Sequence, residues 1–134
     1  MAGTFTAKVK AFTDRTKEKI EVVVKQSAQE VFSIAQTPKA QGGRMPVNTG
    51  TLRGSLMMAL NGSTVGVGPE SYTLAIAGYE LGDTIFGGWG GPAAGYARFQ
   101  EYGTSKMSGN FFMLNAAQQW QAIVAKNAAL VRNL

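Results

Sequence analysis

The sequence contains no cysteine and no histidine. The first absence excludes a disulfide framework, a thiolate metal site and a cysteine nucleophile. The second excludes a Ser–His–Asp triad and imidazole acid–base chemistry. Charge is scarce as well: Asp, Glu, Lys and Arg make up 16% of the chain, and only 8 residues are acidic. Paired carboxylates can run a glycosidase, and here Glu80, Asp83 and Glu101 would have to serve. No histidine, metal motif or cleft signature accompanies them, so the chain reads as a non-enzyme without a cofactor. No apolar run is long enough to span a bilayer. Lys8, Lys10, Asp14, Arg15, Lys17, Glu18 and Lys19 leave no room for the apolar stretch of a signal peptide. Consecutive basic residues are also missing, which weakens a reading as a dedicated nucleic-acid binder.

What is present suits one domain over residues 1–134, of which 45% are hydrophobic. The low charge implies either a surface covered by sister subunits or one rich in Ser, Thr, Asn and Gln. Net charge is +5 and uneven: residues 1–60 carry nine Lys/Arg against four Asp/Glu, and residues 61–134 carry four of each. The basic excess therefore lies in the N-terminal half, where it can face nucleic acid or an acidic protein.

Phe5, Val9, Phe12, Thr16, Ile20, Val23, Ser27, Val31 and Ile34 recur in steps of three and four, one face of an amphipathic helix over 1–37. Thr37-Pro38 stops it. A helix of this length cannot bury its whole stripe on a small sheet, so one end is expected to project. Residues 38–51 read as a long loop, either mobile or held by a partner. Residues 52–80 read as an antiparallel sheet, a meander of three to four strands: Leu52 to Leu60, an Asn61-Gly62 tight turn, Thr64 to Gly68, then Tyr72 to Tyr79. Residues 82–110 hold a Gly-rich loop and a polar loop. Phe86 and Trp89 lie in the Gly-rich part, either as interface anchors or tucked over the core. Residues 96–102 are helical or extended. A terminal helix covers 111–132, with Asn110 as its N-cap. The expected class is α+β, with an N-terminal and a C-terminal helix packed on the small sheet.

Two stretches carry a resemblance. Pro46-Val47-Asn48-Thr49-Gly50-Thr51-Leu52-Arg53-Gly54-Ser55-Leu56 is the first. Tyr96-Ala97-Arg98-Phe99-Gln100-Glu101-Tyr102-Gly103-Thr104-Ser105-Lys106-Met107, followed by Asn110-Phe111-Phe112 and Ala116, is the second. In this order, between two helices, the pair resembles the neck and tail-completion proteins of long-tailed phages, also called head–tail joining or minor tail proteins. The resemblance covers roughly residues 5–130. It departs at Asn110, where the family usually has Pro, and at the long Gly-rich segment 82–95.

The resemblance implies a ring, by default a hexamer, between the head's connector or head-closure protein and the tail tube or its terminator. DNA would pass through the lumen without sequence-specific contact, and no membrane would be involved. Such a protein is made in the bacterial cytoplasm and ends in the neck of the virion. Neighbouring neck proteins share similar folds, so a tail terminator is the alternative role and a free DNA-binding protein a third. Candidate interface residues are Arg44, Thr49, Gly50, Arg53, Phe86, Trp89, Glu101, Tyr102, Gly103, Thr104 and Lys106. Within the two motifs, an Arg53–Glu101 ion pair is expected to tie the loop to the sheet. Gly103-Thr104-Ser105 is either a simple loop or a backbone turn able to hold an anion.

Overall fold

The computed structural model describes residues 2–47, 50–90, 94–105 and 107–132. Helix α1 spans Ala2–Gln36, about 52 Å at the α-helical rise. Burial starts late along it. Residues 6–18 are all exposed, and the first buried positions are Ser27 and Ala28, followed by Ala35 and Gln36. The projecting end foreseen from helix length is therefore the N-terminal half. The face in contact with the core runs through Ala28, Phe32 and Ala35, one position on from the Ser27–Val31–Ile34 register of the apolar stripe.

After Thr37 the chain makes a 3-10 turn, Lys39–Gln41, and doubles back so that Met45 exchanges backbone hydrogen bonds with Thr37 and Lys39. A Cβ at Gly43 would collide with the Thr37 carbonyl, so the return needs glycine there. Met45 is fully buried. This part of 38–51 is thus held by the protein's own core, where a mobile or partner-held loop was expected. Helix α2, Thr51–Gly54, is one turn entered through Gly50 at φ +80°. It takes the place of the first half of the strand expected from Leu52.

The sheet contains β1 (Leu56–Leu60), β2 (Ser63–Val67) and β3 (Ile85–Trp89), all antiparallel, in the order β2-β1-β3. Asn61 and Gly62 have φ of +53° and +84°, the mirror-image turn that fits strand twist. The third strand differs from the expectation. Tyr72–Ala77 is a helix, α3. It buries Tyr72, Ala75 and Ile76, spaced i, i+3, i+4. The third strand comes instead from the Gly-rich stretch and lies on the other side of β1, so the strands are not in sequential order. Glycine suits β3 for a steric reason: a Cβ at Gly87 would lie 2.5 Å from the Phe32 ring and 2.7 Å from the Met58 sulfur.

Helix α4 spans Ala94–Tyr102. Gly103–Thr104 (β4) then pairs antiparallel with Met107–Ser108 (β5), where the sequence reads as a loop or turn. The terminal helix comes in two pieces, α5 (Phe112–Ala117) and α6 (Trp120–Val131). Between them Gln119 N–H closes a short bond to Ala116 C=O at 3.1 Å. Both pieces pack on α1. Asn127 donates to the Ser27 hydroxyl at 3.1 Å, and Lys126 meets Glu30 at 2.8 Å. The α+β class stands: an N-terminal and a C-terminal helical element around a three-stranded antiparallel sheet.

Among the described residues, two apolar clusters fill the interior. One gathers Ala28, Leu56, Met58, Tyr72, Ala75 and Ile76. The other gathers Met45, Leu52, Ala97 and Phe112. Trp89 packs against both, and its ring meets Phe112 edge-on at 5.0 Å.

Candidate functional site

The two motif segments come together in the second cluster, where Leu52 of the first meets Ala97 and Phe112 of the second. Polar groups lock this junction. Gln36, at the end of α1 and 1% exposed, donates its amide N–H groups to the carbonyls of Arg53 and Pro69, both at 2.8 Å. Its side-chain oxygen accepts from the Trp89 indole at 2.9 Å. One buried amide thereby joins the helix, the first motif, the loop before α3 and β3. Arg53 donates Nε–H to the Gln36 backbone carbonyl at 2.8 Å. It engages a carbonyl at the C-terminal end of α1, where a cation is favoured.

Glu101 has a different role from the expected pair with Arg53. Its carboxylate is 1% exposed and accepts from the backbone N–H groups of Met113 and Leu114, both at 2.9 Å. It caps the first turn of α5 from a distance, satisfying donors that a helix start leaves without intrahelical partners. Asn110 is therefore not the cap. Its side chain donates to Gln100 Oε1 at 2.7 Å, and Phe111, at φ +52°, is the entry residue. A left-handed Phe is uncommon. Here its N–H is held by the Glu101 carbonyl at 3.0 Å. Gly109 lets the backbones close up, since a Cβ there would lie 2.6 Å from that carbonyl oxygen.

The suggested carboxylate set has no common focus. Asp83 accepts from the Asn61 side chain and from the Glu80 N–H, each at 2.9 Å. Those two hydrogen bonds, Asn61 first, hold its carboxyl below the ordinary value. Asn61 also accepts from Thr84 N–H at 2.9 Å, so the group pins the hairpin turn to the start of β3. Glu101 serves another segment altogether. Among the described residues no cluster of acidic side chains is placed to hold a metal ion.

The remaining interface candidates divide by exposure. Arg44 is exposed and lines a shallow cleft with Thr37, Asn115 and Gln119. Phe86 lies exposed on the sheet, and Tyr102 lies exposed at the end of α4 with its ring edge-on to Phe111 at 6.5 Å. Trp89, Arg53 and Glu101 are engaged inside the molecule. Gly50 and Gly103 supply positive φ at the starts of α2 and β4, and Thr104 is exposed in β4. Thr49 and Lys106 lie outside the described residues. Sequence reasoning missed Gln36 and Met45. Gln36 closes a stretch of α1 on its buried side, one residue before Thr37-Pro38, and a polar residue there is a signal for a buried hydrogen-bond hub. Met45 is a lone apolar residue among Gly, Arg and Pro.

The family model described as "Bacteriophage HK97-gp10, putative tail-component" matches residues 3–103. The match takes in α1, the sheet, the whole first motif and the second as far as Gly103. No curated protein and no solved structure matches the chain. The chain belongs to the HK97-gp10-like family of phage tail components. Membership makes it a structural part of the virion that assembles with other phage structural proteins. No described helix is long and apolar enough to cross a membrane.

Proposed function

We propose that the chain is a ring subunit of the head–tail junction, completing the tail between the head connector and the tail tube. The observation that carries this reading is the N-terminal half of α1. Residues 6–18 project for about 20 Å beyond both apolar clusters, with only Arg15 and Glu18 among the described residues beside the end of α6 at Val131, yet Val9 and Phe12 keep the apolar face of a packed helix and are 48% and 65% exposed. Isolated helical segments of this length are marginal in water, so the arm is built to be covered by other subunits. Its charge suits the same place: Lys8, Lys10, Arg15, Lys17 and Lys19 stand against Asp14 and Glu18. Where that face lines a lumen, it offers weak, sequence-independent attraction to passing DNA. Six copies are the default, with head-to-tail contacts that need two different patches per subunit.

The test is electron microscopy of particles made by the parent phage with this gene stopped. The expected result is full heads beside normal-length tails that fail to join. Tails of uncontrolled length would assign the chain to tail termination, the second reading, which the shared folds of neck proteins keep in view. Intact, infectious particles would overturn both.

A further inference from the structure

The described residues leave one face of the sheet open, and its chemistry complements the arm. Strands β1, β2 and β3 contain no charged residue. Their inner face packs on α1 and α3, as Phe32 over Gly87 and Leu74 over Gly66 record. The outer face presents Met57, Val67 and Phe86. Met57 pairs with Val67 on one side and Gly88 on the other, and Ala59 pairs with Phe86. Val65 sits where the register shifts between Met58 and Ala59 and is exposed beside them. Val67 and Phe86 are 65% and 56% exposed. A contiguous apolar face of this kind marks a contact surface.

Charge identifies the occupant. Between Arg53 and Arg98 the sequence has no basic residue, while Glu70, Glu80 and Asp83 lie in the loops that flank the sheet. The α1 arm has the opposite character. Its stripe runs through Val9, Phe12 and Ile20, and its basic residues outnumber its acids. The hydroxyls of Thr13 and Thr16 bond back to the Val9 and Phe12 carbonyls at 3.0 and 2.9 Å, so the threonine on the stripe, Thr16, presents a satisfied hydroxyl.

We infer that the arm of one copy docks, apolar stripe down, on the outer sheet face of the next copy, with its lysines and arginine toward the acidic loops. The two patches differ, so every copy both gives an arm and receives one. Such a contact either closes a ring or propagates. The inference rests on the ring reading and names the contact that reading lacks.

The absence of native cysteine allows a direct test with the full chain. Phe12→Cys and Val67→Cys are made as separate variants, and both sites are exposed. Mixed at high concentration under mild oxidation, the two are expected to give a disulfide-linked heterodimer, in excess of the homodimers that either variant forms alone. Sedimentation of the uncrosslinked chain supplies the second readout. Phe12→Glu and Val67→Glu are each expected to weaken association at least about tenfold, roughly 1.4 kcal/mol, with an unchanged circular dichroism spectrum. Raised salt is expected to weaken it as well. An assembly that survives both substitutions, or that is lost only with Phe99→Glu on α4, overturns the inference and leaves the ring standing. A chain that stays monomeric at every concentration and yields no mixed disulfide overturns it too. The gene-stop particles judge the ring reading separately.

Discussion

At the scale of single residues, two buried side chains do more than any surface charge. Glu101 answers two backbone donors at the start of α5, and Gln36 answers three groups from three segments. Glu101→Gln keeps the shape but replaces one acceptor with a donor that faces an N–H. The expected loss is about 1–3 kcal/mol of unfolding free energy by urea titration; a loss under 0.5 kcal/mol would remove the capping role. Gln36→Leu leaves the Arg53 and Pro69 carbonyls and the Trp89 indole without their partner. It is expected to cost about 2–4 kcal/mol and to alter Trp89 emission. The exposed Glu30–Lys126 pair is a weaker tie. The Lys126 hydrogen bond, then that of Gln26, holds the Glu30 carboxyl below its ordinary value. A depressed carboxyl pKa stabilises the fold above the unfolded value and loses that contribution as pH falls through the folded one. Lys126→Met should therefore cost under about 1 kcal/mol near neutrality, and the gap from the parent chain should close in acid. A gap that is constant with pH would assign the loss to packing of the lysine stem.

Elements were legible in proportion to how locally they are determined. The long helix, its stop at Thr37-Pro38 and the Asn61-Gly62 turn each follow from neighbours in the chain, and each stands in the structure. Tyr72–Ala77, read as a strand, is a helix, because a short apolar run satisfies both periods, and the third strand falls to Ile85–Trp89, read as part of a Gly-rich loop. What decides between them is distant: Phe32 and Met58 occupy the space above Gly87, which makes a Gly-rich strand the one that fits. Gly87→Val is accordingly expected to be severely destabilising, whereas Gly88→Val, whose added carbon would meet only the Phe86 ring at 3.4 Å, should be tolerated. Comparing the thermal midpoints of the two variants checks this, and equal midpoints would mean that β3 is not held by that contact. The motif residues were recognisable as a set, yet their partners were not. Sequence order gives no hint that Glu101 reaches forward to Met113 or that Arg53 reaches back to Gln36. The expected Arg53–Glu101 pair put two real structural residues in the wrong partnership.

At the scale of the whole molecule, stability and assembly occupy different regions. Both apolar clusters and the buried hydrogen bonds lie from Ser27 onward, while the arm ahead of residue 19 touches little. In the isolated subunit, amides of residues 6–18 are expected to exchange with solvent at rates near those of an unprotected chain, because local opening there breaks no core contact. Those facing Ala28, Leu56 and Met58 should be protected up to the global unfolding free energy. Removing residues 1–18 should then change that free energy by less than about 1 kcal/mol, within what surface changes usually cause, and leave incorporation into particles as the function lost. In assembled particles the same amides should become slow, since docking on a second copy covers the arm's apolar stripe. Slow exchange in the monomer would mean that the arm is already covered by its own chain, and its exposed stripe would then have no part in joining one subunit to the next.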